Sequence, residues 1–261
     1  IDIQAELAVQ DLRIPRLAFN RDLERGVAMV SVRNTGLTVN GTAVLGDIEA
    51  RIQQETDFRN GAPGDIVSRE IISARADARQ LAALGLDGRP LLDGPVQLDV
   101  RQETRRNGQS RLALRADLRA ATLDVEPLAW RKPPGTPGQG EAVVLMQGGA
   151  ITLIESFRVE TPDALVRGRA SEVRQNTPQR IELTSAALGR SRFSGELRPP
   201  PPRGGGQWVI SLRGPVLDLA PVLARQDGPA GPEEVGNPVS VQARFDRVLL
   251  PHEQEFSALS L

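Results

Sequence analysis

Residues 96–118, VQLDVRQETRRNGQSRLALRADL, set the fold class. Val96, Leu98 and Val100 alternate with Gln97, Asp99 and Arg101 on one flank of Asn107-Gly108, and Leu112, Leu114, Ala116 and Leu118 alternate with mostly polar residues on the other. Period-two alternation on both sides of a turn signal predicts a hairpin with one buried and one wet face. The apolar positions of both flanks are even-numbered, so they share a face only if paired residue numbers have an even sum. A two-residue loop fails that test. A three-residue loop, Arg106-Asn107-Gly108 with Gly108 in the left-handed bulge position, passes it and pairs Val100 with Leu114 and Leu98 with Ala116.

The same alternation recurs at Ile3/Ala5/Leu7/Val9, along a longer run Val44/Gly46/Ile48/Ala50/Ile52, and at Ile151/Leu153/Phe157/Val159, Ile181/Leu183 and Trp208/Ile210/Leu212. A two-residue turn at Pro162-Asp163 places Val159 opposite Val166 and Phe157 opposite Gly168. The Pro/Gly loop from Pro199 to Gly206 places Leu197 opposite Trp208. Helix signals are few: Asp77 as an N-cap, Leu81 and Leu84 three apart and a stop at Gly85 predict about two turns, and a second turn starts near Pro221. The expected fold is all-β with minor α, a long antiparallel β-meander forming a curved, groove-like or taco-shaped sheet with one or two short helices. Residues 1–225 read as one elongated groove domain with a repeat boundary near 133–140, residues 226–238 as a linker, and residues 239–261 as the start of a further strand segment. Residues 118–128 (LRAATLDVEPL) echo residues 212–222 (LRGPVLDLAPV) at a constant offset of 94, each after a predicted hairpin.

Composition narrows the function classes. With 39% hydrophobic and 25% charged residues the chain folds, but only 3% is aromatic and Tyr is absent, so any apolar surface is smooth and aliphatic. Zero Cys removes thiolate metal sites and cysteine nucleophiles. A net charge of -1, with a single lysine, Lys132, among interspersed Arg and acidic residues, argues against a nucleic-acid partner. No stretch approaches the roughly 20 apolar residues of a membrane span. The chain starts at Ile1 without Met and ends in a strand-like run, and so reads as a fragment of a longer protein. Catalytic signals fail one by one. Gly189-Arg190-Ser191-Arg192-Phe193 lacks the final Gly of a nucleophile elbow; His252 is the one histidine and reads as a surface residue; Glu233-Glu234 falls in the linker. No phosphate-binding or calcium loop occurs. The expectation is no catalytic residue, no metal and no cofactor.

Several segments together, AALG at 82–85, LDGPV at 92–96, ADLRAATL at 116–123, LAWRKP at 128–133, LGRSRFSG at 188–195, WVISLRG at 208–214 and LDLAP at 217–221, resemble in this order the AsmA-like superfamily, in its YhdP/TamB-like branch of bridge proteins. The resemblance covers about residues 75–225. It implies a repeating β-groove anchored in the inner membrane by a helix outside this fragment, lying in the periplasm and moving phospholipid toward the outer membrane, with no catalytic residues.

The residues alone point the same way. Carrying an acyl chain through water costs about 0.8 kcal/mol per CH₂ unless an aliphatic surface covers it. The expected lipid-binding, groove-lining face comprises Val96, Leu98, Val100, Leu112, Leu114, Ile151, Leu153, Phe157, Ile181, Leu183, Trp208, Ile210 and Leu212. Asp99, Arg101, Arg111 and Arg115 project to the other side, leaving no buried charge to grip a headgroup. Phospholipid acyl chains and the inner membrane are the expected partners, with envelope proteins as further candidates. The alternatives are a closed sandwich whose core these residues fill, and an envelope scaffold or outer-membrane assembly factor that binds client proteins by its sheet edges.

Overall fold

The computed structural model describes residues 2–18, 21–84, 88, 91–174, 176–200, 206–226 and 238–260. Strand accounts for 72% and helix for 7%, in a large, curved, open sheet of 15 strands that does not close into a barrel. The chain runs β1 (Gln4–Ala18), β2 (Arg21–Arg33), β3 (Gly36–Leu45), β4 (Ile48–Asp57), β5 (Ile66–Asp77), α1 (Ala78–Ala83), β6 (Leu92–Asp93), β7 (Pro95–Arg105), β8 (Gln109–Asp117), β9 (Thr122–Val125) and β10 (Trp130–Lys132). It continues through β11 (Gln139–Gln147), β12 (Ala150–Glu160), β13 (Ala164–Arg174), β14 (Thr177–Leu188), β15 (Ser191–Arg198), β16 (Trp208–Asp218), α2 (Ala220–Gln226), β17 (Val239–Leu249) and β18 (Glu255–Ser260). In the large sheet spatial order follows chain order, with β6, β9 and β10 set aside as a separate 3-stranded sheet.

The expected register holds at two of the three loops. Val100 faces Leu114 and Leu98 faces Ala116, with Gly108 at φ +79°; Val159 faces Val166 and Phe157 faces Gly168. At the third, Leu197 faces Ile210 rather than Trp208. The slip is an even number of residues, so each side chain keeps its face while the connection lengthens. The expected single run from Val44 to Ile52 is broken by a hairpin turn. Gly46 takes φ +60°, Leu45 pairs with Ile48, and the chain doubles back as β3 and β4. The pairing is antiparallel everywhere in the large sheet except one place. β17 lies parallel to β16, Trp208 facing Val239 and Leu212 facing Ala243, because the chain recrosses by way of α2 before re-entering the sheet. Strand 239–249 thus joins the same sheet. Most of the expected linker, residues 227–237, and Glu233-Glu234 with it, lies outside the described residues.

The α1 helix forms where the capping signal stands. The Gln80 amide donates to Asp77 Oδ1 at 2.8 Å and the Asp77 amide donates to Gln80 Oε1 at 2.8 Å, a reciprocal box that satisfies two otherwise unpaired donors. Leu81 then packs with Ile48 and Ala76 onto the large sheet. The small sheet covers neighbouring ground: Val96, Leu118 and Ala121 are buried together with Leu92 and Leu123 against them. The main core lies at the same end of the strands, where Trp130 of β10 meets Ala164, Ala186, Leu188, Phe193, Leu217, Ala243, Phe245 and Val248. The Phe193 and Phe245 rings meet edge-on, centroids 6.5 Å apart and planes at 75°. Here α2 packs against the short 3-10 turn Glu126–Leu128. The two echoed segments therefore meet in space although one leaves the large sheet as β9 and the other stays in it as the end of β16.

Candidate binding groove

Residues paired across a ladder share a face, so the apolar face can be followed strand by strand. One row runs Val9, Ala28, Gly41, Ile52, Ile72, Val100, Leu114, Ala142, Phe157, Gly168, Leu183, Gly195, Leu212, Ala243, from β1 to β17 with no polar side chain in it. At roughly 4.8 Å per strand this floor extends on the order of 60 Å across the sheet. Its large members, Ile52, Ile72, Val100, Leu114, Phe157, Leu183 and Leu212, are neither buried nor fully exposed. Two of its glycines make the floor flat. A Cβ on Gly168 would lie 2.4 Å from the Phe157 ring, and one on Gly195 2.7 Å from a Leu212 methyl; the large side chains lie across the strands that lack one.

On the side of the cap formed by α1, the small sheet and α2, the parallel row from Ala50 through Ala74, Leu98 and Ala116 to Val159 and Val166 abuts the core. On the other side the row through Leu112, Val144, Ile154, Ala170, Ile181, Leu197 and Ile210 leads to strand ends that no other element covers among the described residues.

Of the residues expected from sequence, Leu98, Val100, Leu112, Leu114, Ile151, Phe157, Ile181, Leu183, Trp208, Ile210 and Leu212 stand on this one face. Val96 shares the face but is only 2% exposed, closed off by Leu118 and Ala121. Leu153 does not share it. Register shifts on either side of Leu153 leave Glu155 and Thr152 as extra residues in β12, so Ile154 faces Val144 and Leu153 faces Leu145, which in turn faces Arg111. A bulge inserts one residue and reverses the parity beyond it; two of them turn Leu153 outward and bring Ile154 in while Ile151 and Phe157 keep their side. The apolar side is not without polar and charged residues, though none of those below is fully buried. Across β4, β5 and β7 the row next to the floor reads Gln54, Glu70, Gln102, and the one beyond it Thr56, Ser68, Thr104. Sequence reasoning missed these, although Glu70 has the same parity as Ile72, Ala74 and Ala76 within one strand.

The segments that carried the family resemblance fasten the cap. Trp130 and Lys132 are the two buried residues of β10. Trp130 Nε1 donates to Asp163 Oδ2 at 3.1 Å, and Lys132 Nζ donates to the Ala121 carbonyl at 2.7 Å and that of Pro133 at 3.2 Å. Ser191, the elbow-like serine, is buried and its Oγ accepts from the Asp218 amide at 2.9 Å. Asp218 receives Arg190 through two bonds of 2.7 and 3.1 Å and accepts from the Ala220 amide at 3.1 Å, at the start of α2. His252 is exposed, in a turn at φ +59°.

Burial pushes the Lys132 ammonium below its usual pKa, against a smaller opposing pull from Asp117. The charged form is thus disfavoured in the folded state, the unfolded chain holds the proton more tightly, and stability rises with pH between the folded pKa and the ordinary lysine value near 10.5. With no Tyr, no Cys and no second lysine, no other side chain has an unperturbed pKa in that alkaline window. Denaturant unfolding across it is expected to show rising stability in the wild type and a flat profile in Lys132→Met. At neutral pH the same variant is expected to lose about 1–3 kcal/mol, since the Ala121 carbonyl is left buried without a donor.

The chain matches no protein-family model, no curated protein and no solved structure.

Proposed function

We propose that this chain is a non-enzymatic segment of a bacterial envelope protein that holds phospholipid acyl chains along the apolar floor and passes them between the inner and outer membranes. The observation that carries this reading is the unbroken apolar row from Val9 to Ala243 on a sheet that stays open. A closed sandwich would need a second sheet of comparable width, and the only other sheet among the described residues has 3 short strands gathered at one end of the face. An open apolar surface of this extent on a folded chain is a binding surface, and an aliphatic floor suits acyl chains, which offer no hydrogen bonds. The periplasmic setting and the anchor beyond this segment rest on the family resemblance of residues 75–225. Mass spectrometry of organic extracts from the purified chain tests the reading: phospholipid is expected to co-purify, and a chain that comes through gentle purification with no lipid, and takes none up from vesicles, is not a carrier.

The side of β1, a strand of 15 residues, that no strand pairs among the described residues favours a second reading in which a client strand adds to the sheet edge. Against it, Pro15 and the positive φ of Asp11 at 53° interrupt the edge in the manner that blocks such pairing.

A further inference from the structure

The groove has a polar stretch where its floor runs through β4, β5 and β7, and its atoms are arranged asymmetrically. Gln54, Glu70 and Gln102 sit side by side on successive strands. The Gln54 amide nitrogen donates to Thr56 Oγ1 at 3.3 Å and the Gln102 amide nitrogen to Thr104 Oγ1 at 3.2 Å. Both donors are thereby turned toward the rim, and both amide oxygens are left as acceptors. Ser68 Oγ donates to one Glu70 oxygen, Oε1, at 3.3 Å. Among the described residues nothing donates to Glu70 Oε2 or to either amide oxygen, and no Arg or Lys pairs with Glu70. Three acceptors in a row, the middle one a carboxylate, half-buried beside an apolar floor, suit a ligand with several donors and a positive charge.

We infer that this stretch binds the primary ammonium headgroup of an aminophospholipid whose acyl chains lie on the floor. The inference rests on the carrier reading above and adds the headgroup class to it. A primary ammonium has three N–H donors, matching the acceptors of Gln54, Glu70 and Gln102 in number and sign. A quaternary ammonium has no donor and is held by aromatic faces, and no Trp, Phe or Tyr occupies a paired position of this face in β4, β5, β7 or β8. An anionic headgroup finds no cation on this stretch and meets the Glu70 carboxylate instead.

The test uses the purified chain, vesicles of equal parts phosphatidylethanolamine and phosphatidylglycerol, and mass spectrometry of the lipid retained after separation. The wild type is expected to retain phosphatidylethanolamine in several-fold excess. Glu70→Gln keeps the shape and removes the charge, so it is expected to retain the same total lipid with the excess lost; Glu70→Lys is expected to favour phosphatidylglycerol. Circular dichroism checks that both variants keep the strand signal. Equal retention of the two lipids by the wild type, or an excess that Glu70→Gln leaves unchanged, overturns the headgroup assignment while leaving the carrier intact. No retained lipid of either kind overturns both.

Discussion

Leu114→Asp is expected to abolish lipid retention and Leu153→Asp to leave it unchanged. Leu114 lies at the middle of the floor between Val100 and Ala142, so a carboxylate there would interrupt the surface proposed to hold an acyl chain. The chain then either leaves water-exposed methylenes, at about 0.8 kcal/mol each, or desolvates an ion. A loss of tenfold or more, roughly 1.4 kcal/mol, needs only two methylenes uncovered. Leu153 stands beside Leu145 on the opposite face, where a new carboxylate meets solvent. Retained lipid per mole of folded protein decides between them, with circular dichroism to confirm that each variant folds. Loss in both variants would mean the whole sheet is disturbed, and loss in Leu153→Asp alone would place the lipid on the charged face. Photoreactive side chains at the two positions give an independent reading, with capture expected at 114 and none at 153.

The second large effect is on the cap. Phe245→Ala is expected to cost about 3–5 kcal/mol in denaturant unfolding, the range for deleting a fully buried ring whose surroundings cannot collapse into the void. Phe245 is 2% exposed, meets Phe193 edge-on and lies among Leu188, Leu217 and Val248. Its loss removes an aromatic pair as well as buried area. It sits on β17, the strand that enters parallel, so its ring also holds that crossing in place. An unfolding midpoint within experimental error of the wild type would show that the cap contributes little to holding the sheet.

The fold was readable where a single physical rule acted alone. Alternation gave the strands, face parity combined with turn length gave the register of two hairpins to the residue, and Asp77 as an N-cap marked the start of α1 correctly. The failures share one cause, which is that each depended on what a neighbouring strand does. The bulges at Thr152 and Glu155 leave no mark in an alternating run, so Leu153 was assigned by parity alone and turned out on the wrong side. The parallel entry of β17 depends on a crossing whose direction no local pattern records. Glu70 could be placed on the apolar side from Ile72 and Ala74 in its own strand, but its alignment with Gln54 and Gln102 needs the pairing of three strands. Trp130, Lys132, Arg190 and Ser191 stood out in the sequence for the opposite reason: they are fasteners, few and chemically distinct, whereas the floor they support is made of interchangeable aliphatic residues.

Because spatial order follows chain order through most of the large sheet, each strand depends chiefly on the two beside it, as repeats do in a solenoid. Length is therefore an adjustable quantity in this architecture. Duplicating one hairpin between β11 and β15 would insert two strands, extend the floor by roughly 10 Å and leave every other pairing as it stands, so the span of such a protein can be set by counting hairpins without redesigning a core.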